Sequence, residues 1–331
     1  MAERSADIRE SFPPVFVTGG SGFVGQRVLA ELRARGATDV RVLTRTPAPA
    51  TPAMSLPEGW RMVRGSLDDT TPWAHELAGA HTVLHLASST GKVSAAQHQA
   101  VIVRGTESLV AAAERAQVAR LLYVSSIAAA FQDQRAYPYA QAKRRAEAVV
   151  AASAMPSLIV RPTLVFGRAS AVYDGLKKMA RLPVPVTFGA AQVRVQPIDV
   201  DDLARLLVSA IGSSDPWPTA PVAMGGPDVV TLEALLRRMR THDGAATTRF
   251  VHLPMEPLRT MLALVEPLLL PLLPLTAGQL ATFVNHGDAG QPSAWLTARH
   301  ASLSRPMIDL ETMLKNAHGE AHGEAHGEAH V

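Results

Sequence analysis

Hydrophobic residues in this chain form short apolar runs that alternate with longer segments of helical periodicity. The apolar runs predict buried strands at 15–18, 39–44, 60–63, 81–86, 120–124 and 158–160. The periodic segments predict helices at 23–35, 71–78, 95–117 and 137–152. Apolar strands that alternate with helices are typical of a parallel sheet covered by helices on both faces. We therefore predict an α/β fold built on a doubly wound parallel sheet.

The alternation loosens after residue 161, where proline and glycine become frequent. Helix-like pieces at 201–210, 232–240 and 277–285 predict a smaller, mainly helical C-terminal substrate lobe. The chain ends in the repeat AHGEAHGEAHGEAH, in which the glycines oppose a helix, so a disordered low-complexity tail is expected. The predicted divisions are 12–168 for the Rossmann domain, with 193–224 returning to it, 169–192 and 225–315 for the lobe, and 316–331 for the tail.

Glycines cluster between the first predicted strand and the first predicted helix, in the sequence VFVTGGSGFVG. Glycine is needed where a chain turns tightly and where backbone N–H groups approach a pyrophosphate. The helix that follows adds partial positive charge at its N-terminus. A strand before and a helix after are the context that a dinucleotide-binding turn requires. The predicted cofactor contacts here are Thr18, Gly19, Gly20, Ser21, Gly22, Phe23, Val24 and Gly25.

The end of the second predicted strand indicates which dinucleotide is bound. An NAD site usually has an acidic residue about twenty residues beyond the glycines, whereas an arginine there accommodates a 2′-phosphate. Thr44 occupies the expected acid position and Arg45 follows it. Arg41 would contribute only if its side chain left the strand face. NADP is therefore expected, with NAD as the alternative, and a solvated loop cation is the competing interpretation of Arg45.

A tyrosine and a lysine lie four residues apart in the sequence YAQAK, on one face of a predicted helix. An unperturbed tyrosine has a pKa of about 10, but a neighbouring cation favours the phenolate. Tyr139 could then exchange a proton with a carbonyl or carbinol, and Lys143 could also hold the nicotinamide ribose. Ser126 follows the fifth predicted strand, where open α/β sheets place their chemistry, and could hydrogen-bond the substrate oxygen. A helix-surface pair is the competing interpretation of Tyr139 and Lys143.

Several of these segments together resemble a known superfamily. TGGSGFVG, HLAS, YVSS, YAQAK, RPTLVFG and QPIDVDDLA resemble the short-chain dehydrogenase/reductase superfamily, and in particular its extended and atypical branch, the NAD-dependent epimerase/dehydratase family. The resemblance implies that Ser126, Tyr139 and Lys143 form a catalytic triad. Further cofactor contacts that it implies are Ser66, Leu67, Leu86, Ala87, Ser88, Tyr139, Lys143, Arg161, Pro162 and Thr163.

The sequence departs from this family at two positions. Ser66 stands where the family often has aspartate, and Ile102 stands where it commonly has an asparagine that supports the active site. Because an isoleucine side chain cannot hydrogen-bond, that support is expected to be missing. Two functions follow from the resemblance. The first is an NADP-dependent dehydrogenase, reductase or epimerase that uses Ser-Tyr-Lys chemistry. The alternative is a non-catalytic NADPH-binding accessory or scaffold protein, similar to the complex I 39 kDa subunit.

Composition removes other classes of function. The 331 residues include no cysteine, which excludes disulfides, thiolate metal sites and a cysteine nucleophile. The net charge of +3 is too small for a nucleic-acid footprint, and no metal site is predicted from histidine spacing. The polar N-terminal segment shows no secretory signal, so a cytoplasmic location is expected.

One apolar stretch, 255–275, bears on the partners. It contains two glutamates, an arginine and four prolines, so a membrane-spanning helix is not predicted. Core packing is the first interpretation, and a pocket lid or a peripheral contact with a membrane or a partner is the alternative. The expected partners are a small-molecule substrate, either apolar or a nucleotide-sugar, and a second copy of the chain in a homodimer.

Overall fold

A computed structural model of the chain describes residues 12–45, 57–91, 93–135, 137–188, 192–245, 249–253 and 285–323. Its strands are β1 (Val15–Thr18), β2 (Val40–Thr44), β3 (Trp60–Arg64), β4 (Thr82–His85), β5 (Arg120–Val124), β6 (Ser157–Pro162), β7 (Leu164–Phe166), β8 (Val186–Phe188), β9 (Arg194–Val195), β10 (Pro197–Asp199), β11 (Val222–Met224), β12 (Val230–Thr231) and β13 (Val251–Leu253). Its α-helices are α1 (Phe23–Ala34), α2 (Ala95–His98), α3 (Gly105–Arg115), α4 (Pro138–Ala151), α5 (Ala171–Ala180), α6 (Val200–Ile211), α7 (Leu232–His242), α8 (Ala294–Ala301) and α9 (Leu310–Gly323).

The main sheet has seven strands in the order β11-β6-β5-β4-β1-β2-β3, and each neighbouring pair is parallel. This order confirms the predicted doubly wound sheet. The strand order reverses between β1 and β4, and open α/β sheets bind their ligands outside the carboxyl ends of the strands at such a reversal. A ligand site is therefore expected at the carboxyl ends of β1, β4 and β5.

The central strands are buried on both faces because their alternate side chains enter two separate cores. Val15 and Val17 belong to the core that includes Val28 of α1 and Leu207 of α6. Phe16, between them, enters the opposite core and stacks on Trp73 with ring centroids 5.5 Å apart. Burying such a side chain contributes about 1.5–3 kcal/mol. This two-sided burial explains why the strands read as continuous apolar runs.

Part of the described chain after β6 forms a smaller unit on the sheet. Three two-stranded pairs, β7 with β10, β9 with β12 and β8 with β13, accompany the helices α5, α7 and α9. Phe166, Tyr173, Leu235 and Leu314 share a separate apolar core there. The division into a Rossmann domain and a lobe stays a prediction, since β7, β9 and β10 of this part lie outside the residues predicted for the lobe, while β11 is an edge strand of the main sheet.

The structure differs from the sequence predictions in three helical segments. The segment predicted at 71–78 contains only the 3₁₀ turn Ala74–Leu77, and the long helix predicted at 95–117 is interrupted by the π-helical turn Gln99–Arg104. α9 continues to Gly323, so the first part of the tail predicted as disordered is helical. Leu67 packs against Gly105 directly after the π turn, and apolar Met313 and Leu314 anchor α9.

Two predictions about partners lie beyond what the structure describes. The apolar stretch 255–275 lies outside the described residues, so its contact with a membrane or a partner stays a prediction, as does the homodimer. Across the described residues, no helix combines the length and apolar character that crossing a membrane requires.

Candidate cofactor and active site

The glycine turn brings the backbone of β1 close to two neighbouring segments. Gly19 has a φ of +76°, and a Cβ there would lie 2.5 Å from the backbone nitrogen of Ala87. A Cβ at Gly25 would overlap the carbonyl oxygen of Gly19. Both positions therefore require glycine, one for its backbone conformation and both for space. The sequence prediction of a tight turn between strand and helix agrees with this geometry.

The N-terminus of α1 is open to an anion. Gly22 is the residue before the helix, no side chain caps the first turn, and no acidic residue lies in it. Free N–H groups at a helix start, together with the helix dipole, bind phosphate groups. Ser21 and Gly22 are exposed, and Phe23 and Val24 are half-buried beside them. The residues present thus fit the pyrophosphate of a dinucleotide.

The two arginines near the end of β2 have different surroundings. Arg41 is buried and is held by Asp39 and by the carbonyl oxygens of Glu76 and Ala78. Its side chain therefore stays in the protein and cannot reach a cofactor. Arg45, directly after half-buried Thr44, is exposed.

The residues after β3 are held by local contacts. The Ser66 hydroxyl donates to Asp68 at 3.0 Å, and the Ser66 carbonyl accepts from Trp73 Nε1 at 2.8 Å. Leu67 lies against Gly105 at the end of the π turn. Ser66 thus lies on a turn that hydrogen bonds hold in place, and Leu67 packs against the start of α3.

A buried hydrogen-bond chain runs from the glycine turn to the π turn through His85. The Thr18 hydroxyl lies 2.6 Å from His85 Nδ1, His85 Nε2 lies 3.0 Å from the Thr106 hydroxyl, and Thr106 donates to the Ile102 carbonyl at 2.5 Å. Because Thr106 uses its proton on that carbonyl, it must accept from Nε2–H. Nδ1 then accepts from Thr18. Burial lowers the pKa of His85 to about 3, with a smaller contribution from Lys143, so the ring is neutral.

Hydrogen bonds to Thr18 also fix the loop after β4, which is predicted from sequence to contact the cofactor. Leu86 N donates to the Thr18 carbonyl at 3.0 Å, and Ala87 N approaches the Thr18 hydroxyl at 3.4 Å. Ser88 comes next, and its hydroxyl interacts with the phenol of Tyr139. The loop Leu86–Ser88 therefore connects the glycine turn with the predicted catalytic tyrosine.

Tyr139 is half-buried, and its phenol interacts with two serine hydroxyls, those of Ser126 and Ser88. Burial raises the pKa of Tyr139, and the interactions with these hydroxyls lower it in part. Ser126 begins the 3₁₀ turn Ile127–Ala130 and accepts from Ala128 N at 3.2 Å. Ser125 is buried, and its hydroxyl has no hydrogen-bond partner among the described residues. Ser126 is thus the serine of this pair that meets the tyrosine.

Lys143 is buried under the same site. Its Nζ donates to the Val124 carbonyl at 2.9 Å and lies 4.9 Å from the ring centroid of Tyr123. Burial lowers the pKa of Lys143 to about 7, against an opposing effect of Glu147. The helix α4 therefore places Tyr139 and Lys143 one turn apart above the end of β5, as the spacing predicts.

The residues at the end of β6 serve neighbouring elements. Arg161 pairs with Glu147 of α4 through two hydrogen bonds of 2.9 and 2.6 Å. Thr163 donates its hydroxyl proton to the Gln196 carbonyl and its N–H to the Met224 carbonyl. Pro162 pairs in register with Met224. In this structure their polar groups contact protein, so any contact with a cofactor remains a prediction.

Sequence reasoning missed one polar and one apolar part of the site. His98 is buried, its Nδ1 lies 2.8 Å from the Ser89 hydroxyl, and its ring meets Tyr139 edge-on at 5.6 Å. Phe131 and Tyr137 form an apolar cluster against which Tyr139 packs. No sequence spacing marks His98 as functional, and only its position one helical turn before Ile102 could have drawn attention to it. No group of three His, Asp or Glu side chains able to hold a metal occurs in the described part.

Comparisons with known proteins agree with this architecture. Residues 19–214, more than half of the chain, match the family described as NAD(P)H-binding. The 4-hydroxy-2-methyl-3-oxo-4-farnesyl-3,4-dihydroquinoline-1-oxide ketoreductase of Stigmatella aurantiaca is 31% identical over 170 residues, 46% of this chain and 50% of that protein. The ceramide reductase of Caulobacter vibrioides is 32% identical over 203 residues, 59% of this chain and 60% of that protein.

A solved structure shows the same fold over nearly the whole chain. The dTDP-glucose 4,6-dehydratase DesIV of Streptomyces venezuelae, with NAD bound, has a TM-score of 0.68 at 17% identity and covers 95% of this chain and 99% of that one. The chain spans about half the length of the ketoreductase and less than two thirds of the ceramide reductase. The extent of the family match, together with the fold, shows that the chain belongs to the NAD(P)H-binding family, within the extended short-chain dehydrogenase/reductase type.

Proposed function

We propose that this protein is an NADPH-dependent reductase that converts a ketone on an apolar small molecule into an alcohol. The observation that carries this proposal is the half-buried Tyr139, whose phenol interacts with the hydroxyls of Ser126 and Ser88 one helical turn from Lys143. This arrangement lies at the carboxyl ends of the strands, beside the open N-terminus of α1. When bound there, the nicotinamide cofactor supplies the hydride.

Each site residue has a role in this proposal. Ser126 hydrogen-bonds the substrate carbonyl oxygen and orients it toward Tyr139. Tyr139 donates its phenolic proton to that oxygen as the carbonyl carbon receives hydride, which completes the alcohol. The ammonium of Lys143 stabilises the phenolate that remains. Ser88 helps to hold the phenol in place.

The preference for NADPH rests on Arg45. Its exposed guanidinium follows β2, and Thr44 occupies the position where an acidic side chain would bind a ribose 2′-hydroxyl. An arginine pairs with a phosphate through charge-assisted hydrogen bonds. Asp39, the acidic residue nearest in sequence, is engaged with Arg41.

An apolar substrate is supported by the walls around Tyr139. Ile127, Phe131 and Tyr137 form the cluster that packs beside it. The names of two relatives, a farnesyl-dihydroquinoline ketoreductase and a ceramide reductase, also refer to reduction of molecules with long apolar chains. We favour such a substrate over a nucleotide-sugar.

The non-catalytic alternative depended on Ile102 in place of asparagine. The bond that reaches this position comes from Thr106 and ends on the main-chain carbonyl of Ile102. The hydrogen-bond chain through His85 therefore needs no polar side chain at position 102. The Tyr139–Lys143 spacing, which is intact on α4, favours the enzyme over the scaffold.

The direct test is NADPH oxidation by the purified full chain with a panel of long-chain ketones and nucleotide-sugars. We expect turnover with the apolar ketones that disappears in Tyr139→Phe. Turnover that is unchanged in that variant would contradict the mechanism. Conversion of a nucleotide-sugar without net NADPH oxidation would replace reduction by epimerisation or dehydration.

A further inference from the structure

The ammonium of Lys143 rests on an aromatic ring from the strand below it. Its Nζ lies 4.9 Å from the ring centroid of Tyr123, and the two side chains are 1% and 0% exposed. A cation within about 6 Å of a ring face is attracted by the negative face of the ring. The attraction is strongest where water is excluded, as it is here.

Glu147 favours the ammonium of Lys143 electrostatically, and the ring of Tyr123 adds a second source of support. Glu147, on the same helix, is engaged by both nitrogens of the Arg161 fork. His85, from β4, is neutral, and Tyr139 is a phenol. None of the ion pairs between described residues includes Lys143, whose one hydrogen bond found there goes to the Val124 carbonyl. A buried ammonium without a paired carboxylate needs another source of stabilisation.

We propose that Tyr123 is a positioning residue whose ring face holds Lys143 protonated and in place beneath Tyr139. The consequence for catalysis rests on the proposed function, in which Lys143 acts as an ammonium. The placement of the ammonium on the ring does not depend on it.

The ring, and not its hydroxyl, carries this role. A phenylalanine has the same negative face, whereas an aliphatic side chain has none. Tyr123→Phe therefore keeps the support of Lys143 and Tyr123→Leu removes it. Since burial then disfavours the ammonium without opposition from the ring, the pKa of Lys143 falls in the leucine variant.

The test follows the lysine charge directly by NMR in the full chain labelled with ¹³C-lysine. The sequence has five lysines, so Lys143 is assigned from the signal missing in Lys143→Met. We expect the pKa of Lys143 to fall by about one unit in Tyr123→Leu and to stay unchanged in Tyr123→Phe. An unchanged Lys143 titration in the folded leucine variant would overturn the proposal, as would an equal fall in both variants.

A second ring-less variant controls for misfolding, and a kinetic measurement tests the consequence for catalysis. Tyr123→Met, which also lacks a ring, replaces the leucine variant if thermal unfolding shows that leucine disrupts the fold. With an active substrate, the alkaline limb of kcat moves to lower pH in the ring-less variant, because Lys143 loses its proton earlier. A lysine titration that shifts in a protein that reduces no ketone would leave the ring support standing and refute only the proposed function.

Discussion

Arg161 and Glu147 form a two-pronged ion pair that joins β6 to α4 one helical turn beyond Lys143. The glutamate side chain is 6% exposed and the arginine side chain 23%. The pair fixes the C-terminal half of α4, the helix that carries Tyr139. It also engages the carboxylate nearest to Lys143 in sequence, and no ion pair between described residues includes this lysine.

Removing one partner of this pair should destabilise the fold strongly. Glu147→Leu leaves the Arg161 charge without its counter-ion, and breaking a buried pair costs about 3 kcal/mol. The double variant Glu147→Leu, Arg161→Met removes both charges and should cost clearly less. Urea unfolding of Glu147→Leu, Arg161→Met and the double variant measures this. A double variant as unstable as the sum of its parents would show that the two side chains act independently.

The glycine turn should be intolerant of a single methyl group. In Gly25→Ala the new Cβ overlaps the Gly19 carbonyl, and the turn must open, so NADPH affinity should fall at least about tenfold. Gly175→Ala is the matched control, because a Cβ there meets no atom within 4 Å. Fluorescence titration with NADPH measures both variants. Equal affinities would mean that the cofactor binds elsewhere.

Arg45 should distinguish the two nicotinamide cofactors. Arg45→Ala removes a charge-assisted contact to the 2′-phosphate, so its NADPH dissociation constant should rise about tenfold while that for NADH stays within about twofold. Arg33→Ala, an exposed arginine at the end of α1, serves as the control. Parallel weakening of both cofactors in Arg45→Ala would argue against recognition of the 2′-phosphate.

Tyr139 should matter for turnover and little for cofactor affinity. Tyr139→Phe removes the proton donor but keeps the ring against His98, so kcat should fall about 10²–10⁴-fold. The NADPH dissociation constant should change by less than about threefold. Tyr173→Phe, in the core of the lobe, controls for the loss of a phenol hydroxyl. Similar kcat losses in both variants would remove the special role of Tyr139.

His85 should make stability depend on pH in the acidic range. Its pKa is about 3 in the folded protein against an ordinary value of 6.5, so the unfolded chain binds the proton first as the pH falls. The stability that His85 contributes is complete above pH 6.5 and is lost between there and pH 3, at no more than about 1.4 kcal/mol per pH unit. Denaturant unfolding at pH 7 and pH 5 should show a smaller difference in His85→Asn than in the natural chain. An identical pH dependence would indicate that other groups cause the acid sensitivity.

The sheet and the residue types of the site could be predicted from the sequence. The contacts between side chains of different elements could not. The apolar runs and the glycine spacing follow from local geometry, so β1, the turn and α1 were predictable. The spacing of Tyr139 and Lys143 predicts a shared helix face, and the structure has both in α4. The ring of Tyr123 under Lys143 and the edge of His98 on Tyr139 join residues from different elements, which no local pattern reveals. The π turn could not be predicted either, because its residues fit the apolar periodicity of an uninterrupted helix.

The end point of the Thr18–His85–Thr106 chain has a consequence for how this site tolerates change. The chain stops on the main-chain oxygen of Ile102, an atom that every residue type provides. Substitutions at position 102 are therefore constrained by the volume of the apolar core in which the side chain lies, and not by the need for a hydrogen-bonding group. The site obtains a polar anchor that mutation of that side chain cannot delete, so position 102 should tolerate other apolar side chains of similar volume.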